Sequence, residues 1–386
     1  MSQRVGKQST QLPTDYTGPS GNEFSIACLL YQNNYECQSR SRSCQRVVFC
    51  PMTEHITTKP TTDDHVLDQT LRPQTFGDYI GQEKVKENLK IIIGAARQRK
   101  EPAEHVLLHG PSGLGKTTLA YLIAKELNAN LKMTAGTALE KAGDVGSILT
   151  GLVDGDVLFI DEVHRLNKMV EEVIYPAMEN FKLDIVIGKG SAAKTLQIDL
   201  PRFTLVAATT KVSLLSAPFR SRFGVNFRLD FYTLQDIEKI LSRSAALLQI
   251  NLDAPAIRII AAASRFTPRV ANRLLKRVRD YAQVHKIKRI NATTAQEALA
   301  MLEIDHAGLE ETDRKILLTI GQKFSGGPVG LKSVAAALSE EEDTIEDVYE
   351  PYLMRMGFLA RTPKGRVITT AGLKHVGLAA KEPFDF

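Results

Sequence analysis

The chain has no cysteine beyond residue 50, because all four of its cysteines lie near the start of a 386-residue sequence. This distribution excludes a disulfide scaffold for the body of the protein. The chain also lacks an apolar run of the roughly 20 residues that a membrane-spanning helix needs. Its 16 prolines and 26 glycines are too few for a fibrous or disordered class. The 43% hydrophobic and 24% charged content is typical of a globular protein, and roughly 150 residues per domain allows two to three domains.

The first 51 residues also lack a secretory signal, since no basic start precedes a long apolar core and a small-residue cleavage site. The intervals between the four cysteines do not match the CxxC spacing of zinc sites. We therefore expect translation to start at Met52, which the intact mass of the native protein tests. Residues 1–66 are expected to form a disordered extension.

The net charge of +5 is concentrated in residues 233–305, where Lys and Arg outnumber Asp and Glu. A solvated helix face explains any single basic cluster of this kind, so charge alone does not identify a nucleic-acid partner. The motifs and their order carry the functional argument instead.

Short apolar strands alternate with helical patterns in residues 67–232, which predicts an α/β domain with a parallel sheet covered on both faces. Residues 183–200 alternate around a Gly-rich centre and predict a hairpin. Only helical patterns follow in residues 233–305. Residues 306–386 show three helices and then a hairpin, which is the pattern of a winged helix. The predicted sheet strands are HVLLHG (105–110), DVLFID (156–161) and FTLVAATT (203–210).

The segment GPSGLGKT (110–117) fits the phosphate-binding loop GxxxxGK[ST], and it lies between a predicted strand and a predicted helix. Glycines let backbone N–H groups converge on phosphate oxygens, and the helix N-terminus adds positive potential. Lys116 is expected to reach the outer phosphates, and the Thr117 hydroxyl is expected to bind Mg²⁺.

The second predicted strand ends in Asp161 and Glu162. Asp161 is expected near the metal, and Glu162 is expected to orient the attacking water. The alternative is a helix N-cap, which is common for an Asp–Glu pair.

The third strand ends in Thr209 and Thr210, at the sheet edge where α/β proteins bind ligands. Arg220 and Arg222 follow in APFRSRFG (217–224). An Arg from a neighbouring subunit can stabilise a transferring phosphate, although without the nucleotide motifs these would be surface arginines.

From about residue 67 onward the chain resembles the RuvB family, the Holliday-junction branch-migration motors among the AAA+ ATPases. The resemblance is carried, in the family's order, by LRPQTFGDYIGQ (71–82), GPSGLGKTTLA (110–120), LEKAGDVGSIL (139–149), FIDEVHRLNK (159–168), EEVIYPAMENFKLDIVIGKG (171–190), LVAATTK (205–211), TPRVANRLLKRVRDYA (267–282), DRKILLTI (313–320), GGPVGL (326–331), TIEDVYEPYL (344–353) and RTPKGR (361–366). It implies a P-loop AAA+ domain, an all-α lid and a C-terminal winged helix.

The resemblance also implies residue roles. Asp161 and Glu162 would be the Walker B pair, Thr210 sensor 1 with Thr209 beside it, and Arg222 the trans-acting finger with Arg220 as its neighbour. Arg269 would be sensor 2. Further nucleotide contacts would come from Leu71, Arg72, Gly113, Lys116, Thr117, Thr118, Glu179, Asn180, Phe181 and Tyr232. DNA phosphates would be contacted by Arg361, Lys364 and Arg366, which grip the backbone without reading sequence.

Three positions depart from the family pattern. Phe266 stands where relatives typically have Gly, Asn180 replaces a usual Asp, and Glu342 stands where relatives often have Arg. Phe266 raises the question of how the lid packs next to sensor 2, and Glu342 removes one possible DNA contact.

The resemblance implies a cytoplasmic homohexamer that uses ATP and Mg²⁺ to pull Holliday-junction duplex arms through its rings. Its partners would be RuvA, docked through the hairpin 183–200, and the resolvase RuvC in the same assembly. Two alternatives remain at this point: a clamp-loader-like ATPase, and a nucleotide-regulated DNA-binding adaptor without motor activity.

Overall fold

Residues 70–187 and 194–379 are described by the computed structural model. The predicted extension 1–66, which includes the cysteines and Met52, lies outside the described residues. So do the turn of the hairpin 183–200, at residues 188–193, and the last residues 380–386.

A five-stranded parallel sheet forms the centre of the first domain, with the strand order β2-β3-β6-β1-β7. The three strands predicted from apolar runs are confirmed as its central strands. The two edge strands were not predicted, because their partly exposed residues give no continuous apolar run. The strands are β1 (Val106–His109), β2 (Leu131–Ala135), β3 (Val157–Asp161), β6 (Thr204–Thr209) and β7 (Val225–Arg228).

Helices cover both faces of this sheet, as the alternating pattern predicted. Successive residues of the central strands contribute to two separate cores: Phe159 and Val206 pack on one face, and Leu158 and Leu205 on the other. This alternation follows from the two-residue period of a strand. The covering helices are α1 (Glu83–Arg99), α2 (Lys116–Leu127), α3 (Ala142–Thr150), α4 (Lys168–Asn180) and the short α5 (Ala217–Arg220).

The register of the central strands places their carboxyl ends side by side. His109 of β1 is paired with Thr209 of β6, and Ile160 of β3 is paired with Ala207. The N–H of Gly110, the first residue of the phosphate loop, donates to the Thr209 carbonyl at 3.2 Å. The segments predicted to bind nucleotide therefore meet at one edge of the sheet.

The predicted hairpin is confirmed as β4 (Lys182–Ile187) paired antiparallel with β5 (Lys194–Asp199). Its base is anchored, because Leu183 is buried and the Leu200 N–H donates to the Phe181 carbonyl. Leu196, on β5, is 49% exposed.

The lid is built from helices, as predicted, with one isolated β-bridge recorded between Leu252 and Ile290. Its hydrophobic residues Ile237, Leu241 and Leu274 belong to the same core as Leu89 of α1 and Leu119 of α2. The lid is thus packed on the sheet domain rather than loosely tethered to it. It consists of α6 (Leu234–Leu247), α7 (Ala254–Ala262), α8 (Pro268–Val284) and α9 (Ala292–Met301).

The last domain has the predicted winged-helix pattern, with its own core around Ile316, Leu317 and Leu353. Val329 pairs with Arg366 and adds a third short strand segment to the hairpin. The elements are α10 (Glu311–Leu318), a π-helical turn (Thr319–Lys323), α11 (Leu331–Leu338), α12 (Glu342–Thr344), a second π-helical turn (Ile345–Tyr349), α13 (Glu350–Arg355), β8 (Leu359–Thr362), β9 (Gly365–Ile368) and α14 (Thr370–His375). Within the described residues, no helix of the chain has the length and apolar character needed to cross a membrane.

Arg366 and Arg361, both expected to contact DNA, lie in different surroundings. The Arg366 guanidinium lies beneath the wing, 8% exposed, and binds the Glu350 carboxylate at 2.6 and 3.2 Å. Arg361 is different: its side chain is 53% exposed and pairs with the partly exposed Glu346, at 2.8 Å. The contact of Arg361, Lys364 and Arg366 with DNA stays a prediction, and Arg361 and Lys364 are its exposed members.

Replacing Arg366 by alanine should destabilise the winged helix by about 3–5 kcal/mol, because it leaves the Glu350 carboxylate buried without its partner. The matched Arg361→Ala change, at an exposed pair, should cost less than about 1 kcal/mol. Chemical denaturation of the full chain measures both. Equal losses for the two variants would mean that the Arg366 pair has no special structural role.

Candidate nucleotide site

The phosphate loop has a backbone that only glycine can supply at two positions. Gly110 and Gly115 have φ angles of 142° and 95°. A β-carbon at Gly110 would lie 2.4 Å from the Leu229 carbonyl oxygen, and one at Gly115 would lie 2.8 Å from the Tyr79 hydroxyl. The loop is thus pressed against its surroundings and held in one shape, which suits the cradling of phosphate oxygens.

Lys116 begins helix α2 and is almost fully buried, at 7% exposure. Its Nζ donates to the carbonyl oxygens of Gly110 (2.7 Å) and Pro111 (2.9 Å), so the ammonium group lies inside the loop. Burial lowers its pKa below the ordinary value, while the carboxylates of Glu162 and Asp161 oppose that shift. An ammonium with few competing partners is well placed to bind an incoming anion.

Thr117 and Asp161 provide an oxygen pair suited to a small divalent cation. The Thr117 hydroxyl lies 3.5 Å from Asp161 Oδ2, and Asp161 Oδ1 accepts the Glu162 N–H at 2.9 Å. Mg²⁺ is commonly held in nucleotide sites by one or two protein oxygens together with phosphates and water. The donor set therefore fits Mg²⁺.

Glu162 lies at the centre of a polar network at the sheet edge. Its Oε2 accepts from the Thr210 hydroxyl at 3.2 Å and lies 3.2 Å from His164 Nδ1. His164 Nδ1 also lies 2.9 Å from the Thr209 hydroxyl oxygen. Glu162 has φ of 47°, so its backbone is in the left-handed region. The carboxylate is oriented by neighbours that follow β3 and β6 in the chain.

His164 was not singled out from the sequence, although it lies in the segment FIDEVHRLNK. A 3₁₀ turn, Val163–Arg165, turns its ring back toward Thr209. Burial lowers its pKa below the ordinary range, although the Glu162 carboxylate opposes this shift, so the ring is neutral at pH 7. The hydrogen-bonding partner of Nδ1 is the Thr209 hydroxyl, and the Glu162 carboxylate lies beside the ring, 3.2 Å from Nδ1.

Two tyrosines hold the middle of the phosphate loop. The hydroxyls of Tyr79 and Tyr232 lie 3.0 Å apart, and they donate to the Leu114 carbonyl at 3.2 and 3.1 Å, respectively. Burial raises the pKa of Tyr232 to about 12. Tyr232 was expected near the nucleotide, and the structure places it against the loop; Tyr79 is a second contact that the sequence did not reveal.

The segment before α1 and the lid also reach the site. Leu71 is buried, and its carbonyl accepts from Arg243 of the lid at 2.9 Å. The Arg72 guanidinium lies 5.5 Å from the centre of the Tyr121 ring. Arg269, in the first turn of α8, lies so close to the loop that a β-carbon on Gly113 would be 3.2 Å from the Arg269 Cβ. Arg269, the predicted sensor 2, and the phosphate loop are therefore adjacent, and Thr118 is half-buried in the first turn of α2.

Four predicted residues are not brought to this loop within the chain. Arg222 pairs with Glu179 at 3.0 Å and lies 4.2 Å from the centre of the Tyr175 ring. Phe181 packs on Phe203, which precedes β6, so it lies at the opposite edge of the sheet from the phosphate loop. The physical reason is that α4 starts near the site and runs away from it, so the exposed Asn180, at its far end, is carried away as well. For these four residues, contact with the nucleotide of a neighbouring subunit stays a prediction.

Three family models match consecutive segments of the chain. They are the Holliday junction DNA helicase RuvB P-loop domain (residues 71–229), the RuvB AAA lid domain (232–305) and the RuvB C-terminal winged helix domain (306–377). The chain belongs to the RuvB family. The expected combination of a P-loop AAA+ domain, a helical lid and a winged helix is thereby confirmed.

Solved structures of RuvB support the same assignment. The chain is 50% identical to the Thermotoga maritima RuvB described as a Holliday junction branch migration motor, with a TM-score of 0.75. That match covers 81% of this chain and all of the other. A point mutant of Thermotoga maritima RuvB gives the same identity, coverage and TM-score.

His164→Leu should lower kcat for ATP hydrolysis by about tenfold, because it removes the hydrogen bond to Thr209 that holds the ring beside the Glu162 carboxylate, a loss on the order of 1.4 kcal/mol. KM for ATP should stay within about twofold, since the recorded contacts of the ring are with Thr209 and Glu162 and not with the phosphate loop. His164→Asn, whose amide can hydrogen-bond in place of Nδ1, should keep most of the activity. A loss of kcat as large for the Asn variant as for the Leu variant would show that this hydrogen bond is not what matters.

Proposed function

We propose that this chain is the ATP-driven motor of Holliday-junction branch migration. The observation that carries the proposal is the convergence of Lys116, Thr117, Asp161, Glu162 and Arg269 at one site, in a chain that also ends in a winged helix. The match to a solved branch-migration motor over its whole length supports it. The alternative, a clamp-loader-like ATPase, does not account for that winged helix.

In this proposal the phosphates of ATP bind the loop 110–117, with Lys116 against the outer phosphates. Mg²⁺, held by Thr117 and Asp161, supplies charge stabilisation for phosphoryl transfer. Glu162 orients the attacking water, and its own orientation is set by Thr210 and His164. Arg269 contacts the phosphates from the lid, so loss of the outer phosphate releases the lid and permits a rigid-body rotation.

The chain is proposed to work as a homohexameric ring. Arg222 is 21% exposed and held by Glu179 and Tyr175, which suits a finger presented across a subunit boundary. In a ring with head-to-tail interfaces, each such surface faces the nucleotide site of the next subunit. Glu179, Asn180 and Phe181 lie on the same side of the chain and are proposed to line that interface.

DNA contacts are proposed at the wing, where Arg361 and Lys364 are exposed. Side chains of this kind bind backbone phosphates and give affinity without sequence preference, as a motor that moves along DNA requires. The hairpin β4–β5, with its exposed Leu196, is proposed to dock RuvA, and RuvC is proposed to act in the same assembly. A body without cysteine fits a cytoplasmic location.

Branch migration is the direct test. Wild-type chain with purified RuvA, ATP and Mg²⁺ should dissolve a labelled synthetic four-way junction into duplex products. Glu162→Gln should bind ATP but lose hydrolysis by about 100-fold or more, and with it junction dissolution. Hydrolysis by the wild-type chain without any junction dissolution would contradict the motor and favour a different ATPase role. Nucleotide binding without hydrolysis would favour the adaptor.

Complementation tests the trans finger. Glu162→Gln and Arg222→Ala should each be inactive alone, because each spoils every site of a ring. Mixed before ring assembly, they should regain about one quarter of the wild-type ATPase rate, since random mixing pairs an intact Glu162 with an intact neighbouring Arg222 at that frequency. If Arg222 acted within its own chain, mixing would restore nothing.

A further inference from the structure

The turn that precedes sensor 2 has an unfavourable backbone. Arg265 and Phe266 are consecutive residues with φ of 54° each, in the left-handed region that residues with a β-carbon avoid. A bulky aromatic residue is unusual there. Such a conformation persists when surrounding contacts hold it, and it often occurs where function requires it. The contacts around this turn therefore indicate its role.

Both side chains of the turn contact the winged-helix end of the chain. Arg265 binds the fully buried Asp313 at 2.5 Å, and its guanidinium lies 5.3 Å from the centre of the Tyr352 ring. Phe266 lies under the guanidinium of Arg355, at 4.8 Å. The turn is thus fastened to helices α10 and α13.

Arg355 also contacts the connection between the sheet domain and the lid. Its guanidinium lies 4.7 Å from the centre of the Phe231 ring, so one cation contacts two aromatic rings from different parts of the chain. Cation–π contacts of this geometry are attractive and strengthen as the groups are desolvated. Arg355 therefore joins the winged helix to the sensor-2 turn and to the residue before Tyr232.

The other side of the turn touches the phosphate loop. The Phe266 carbonyl accepts from the Tyr232 N–H at 3.1 Å, and the Tyr232 hydroxyl donates to the Leu114 carbonyl. Arg269 is three residues further on, against Gly113. The same short turn thus connects the nucleotide loop to the winged helix by a continuous set of contacts.

We propose that Phe266 and Arg355 are positioning residues: their contact fixes the sensor-2 turn, and so places Arg269 and Tyr232 for nucleotide binding. The winged helix then sets the affinity of the nucleotide site. By linkage, nucleotide binding acts back on the winged helix to the same extent. The inference rests on the proposed function only in taking Arg269 as a phosphate contact.

The test measures binding of a slowly hydrolysed, fluorescent ATP analogue with Mg²⁺ to the full chain, together with its thermal stability. Phe266→Gly should raise the Kd about fivefold, which is roughly 1 kcal/mol and the value of one such contact. Its thermal stability should change little, because the freedom of glycine to adopt positive φ offsets the lost packing of the Phe266 ring on the winged-helix core. The Kd would thus rise without a matching loss of thermal stability. A merely structural role predicts that both change together.

Arg355→Ala should raise the Kd by at least that factor, because it also removes the contact with Phe231. The double variant should bind no more weakly than Arg355→Ala alone, since the Phe266–Arg355 contact is already lost there. Phe266→Tyr keeps a ring and should restore wild-type affinity. Met354→Ala, at the exposed neighbour on α13, is the matched control and should leave the Kd unchanged.

Wild-type Kd values for both single variants, or independent effects that multiply in the double variant, would overturn the proposal. Those outcomes leave the proposed function untouched, because the wild-type chain still binds nucleotide. If the wild-type chain itself binds no nucleotide, the proposed function fails first, and the positioning role fails with it.

Discussion

The parallel register of β3, β6 and β1 is the constraint on which the rest of the site depends. It aligns Asp161, Thr209 and the start of the phosphate loop at one edge, and the Gly110 N–H bond to Thr209 joins loop and sheet directly. Because parallel strands all end on the same side, residues far apart in sequence become neighbours without any special local structure. The network of Glu162, His164 and Thr210 is a consequence of this register.

The lid adds a second constraint, because it shares a hydrophobic core with the sheet domain. Burial of apolar surface fixes the lid on the domain, and the hydroxyls of Tyr79 and Tyr232 contact the phosphate loop at Leu114. The winged helix joins the same system through Arg265 and Arg355 rather than hanging from a free linker.

Sequence reasoning recovered the buried strands, the helical lid, both hairpins and the winged helix, because these elements are encoded by local periodicity and turn residues. It missed β2 and β7, whose edge positions leave residues partly exposed. The family resemblance implied that Arg366 contacts DNA, and the sequence could not show that its guanidinium pairs with the buried Glu350. His164 and Tyr79 were not predicted for a similar reason. Thr209 and Leu114, which they contact, are distant from them in sequence.

The sequence by itself determined the chemistry available to the protein: the glycines that permit the loop, the Lys116 ammonium, the Asp161 and Glu162 carboxylates and the order of the domains. These depend on residue type and short spacing. Only the tertiary structure decided which charges are free to act and which are bound to one another. It turned Arg366 inward, held Arg222 away from its own phosphate loop and fastened Phe266 to Arg355, because burial and pairing arise only when distant segments pack together.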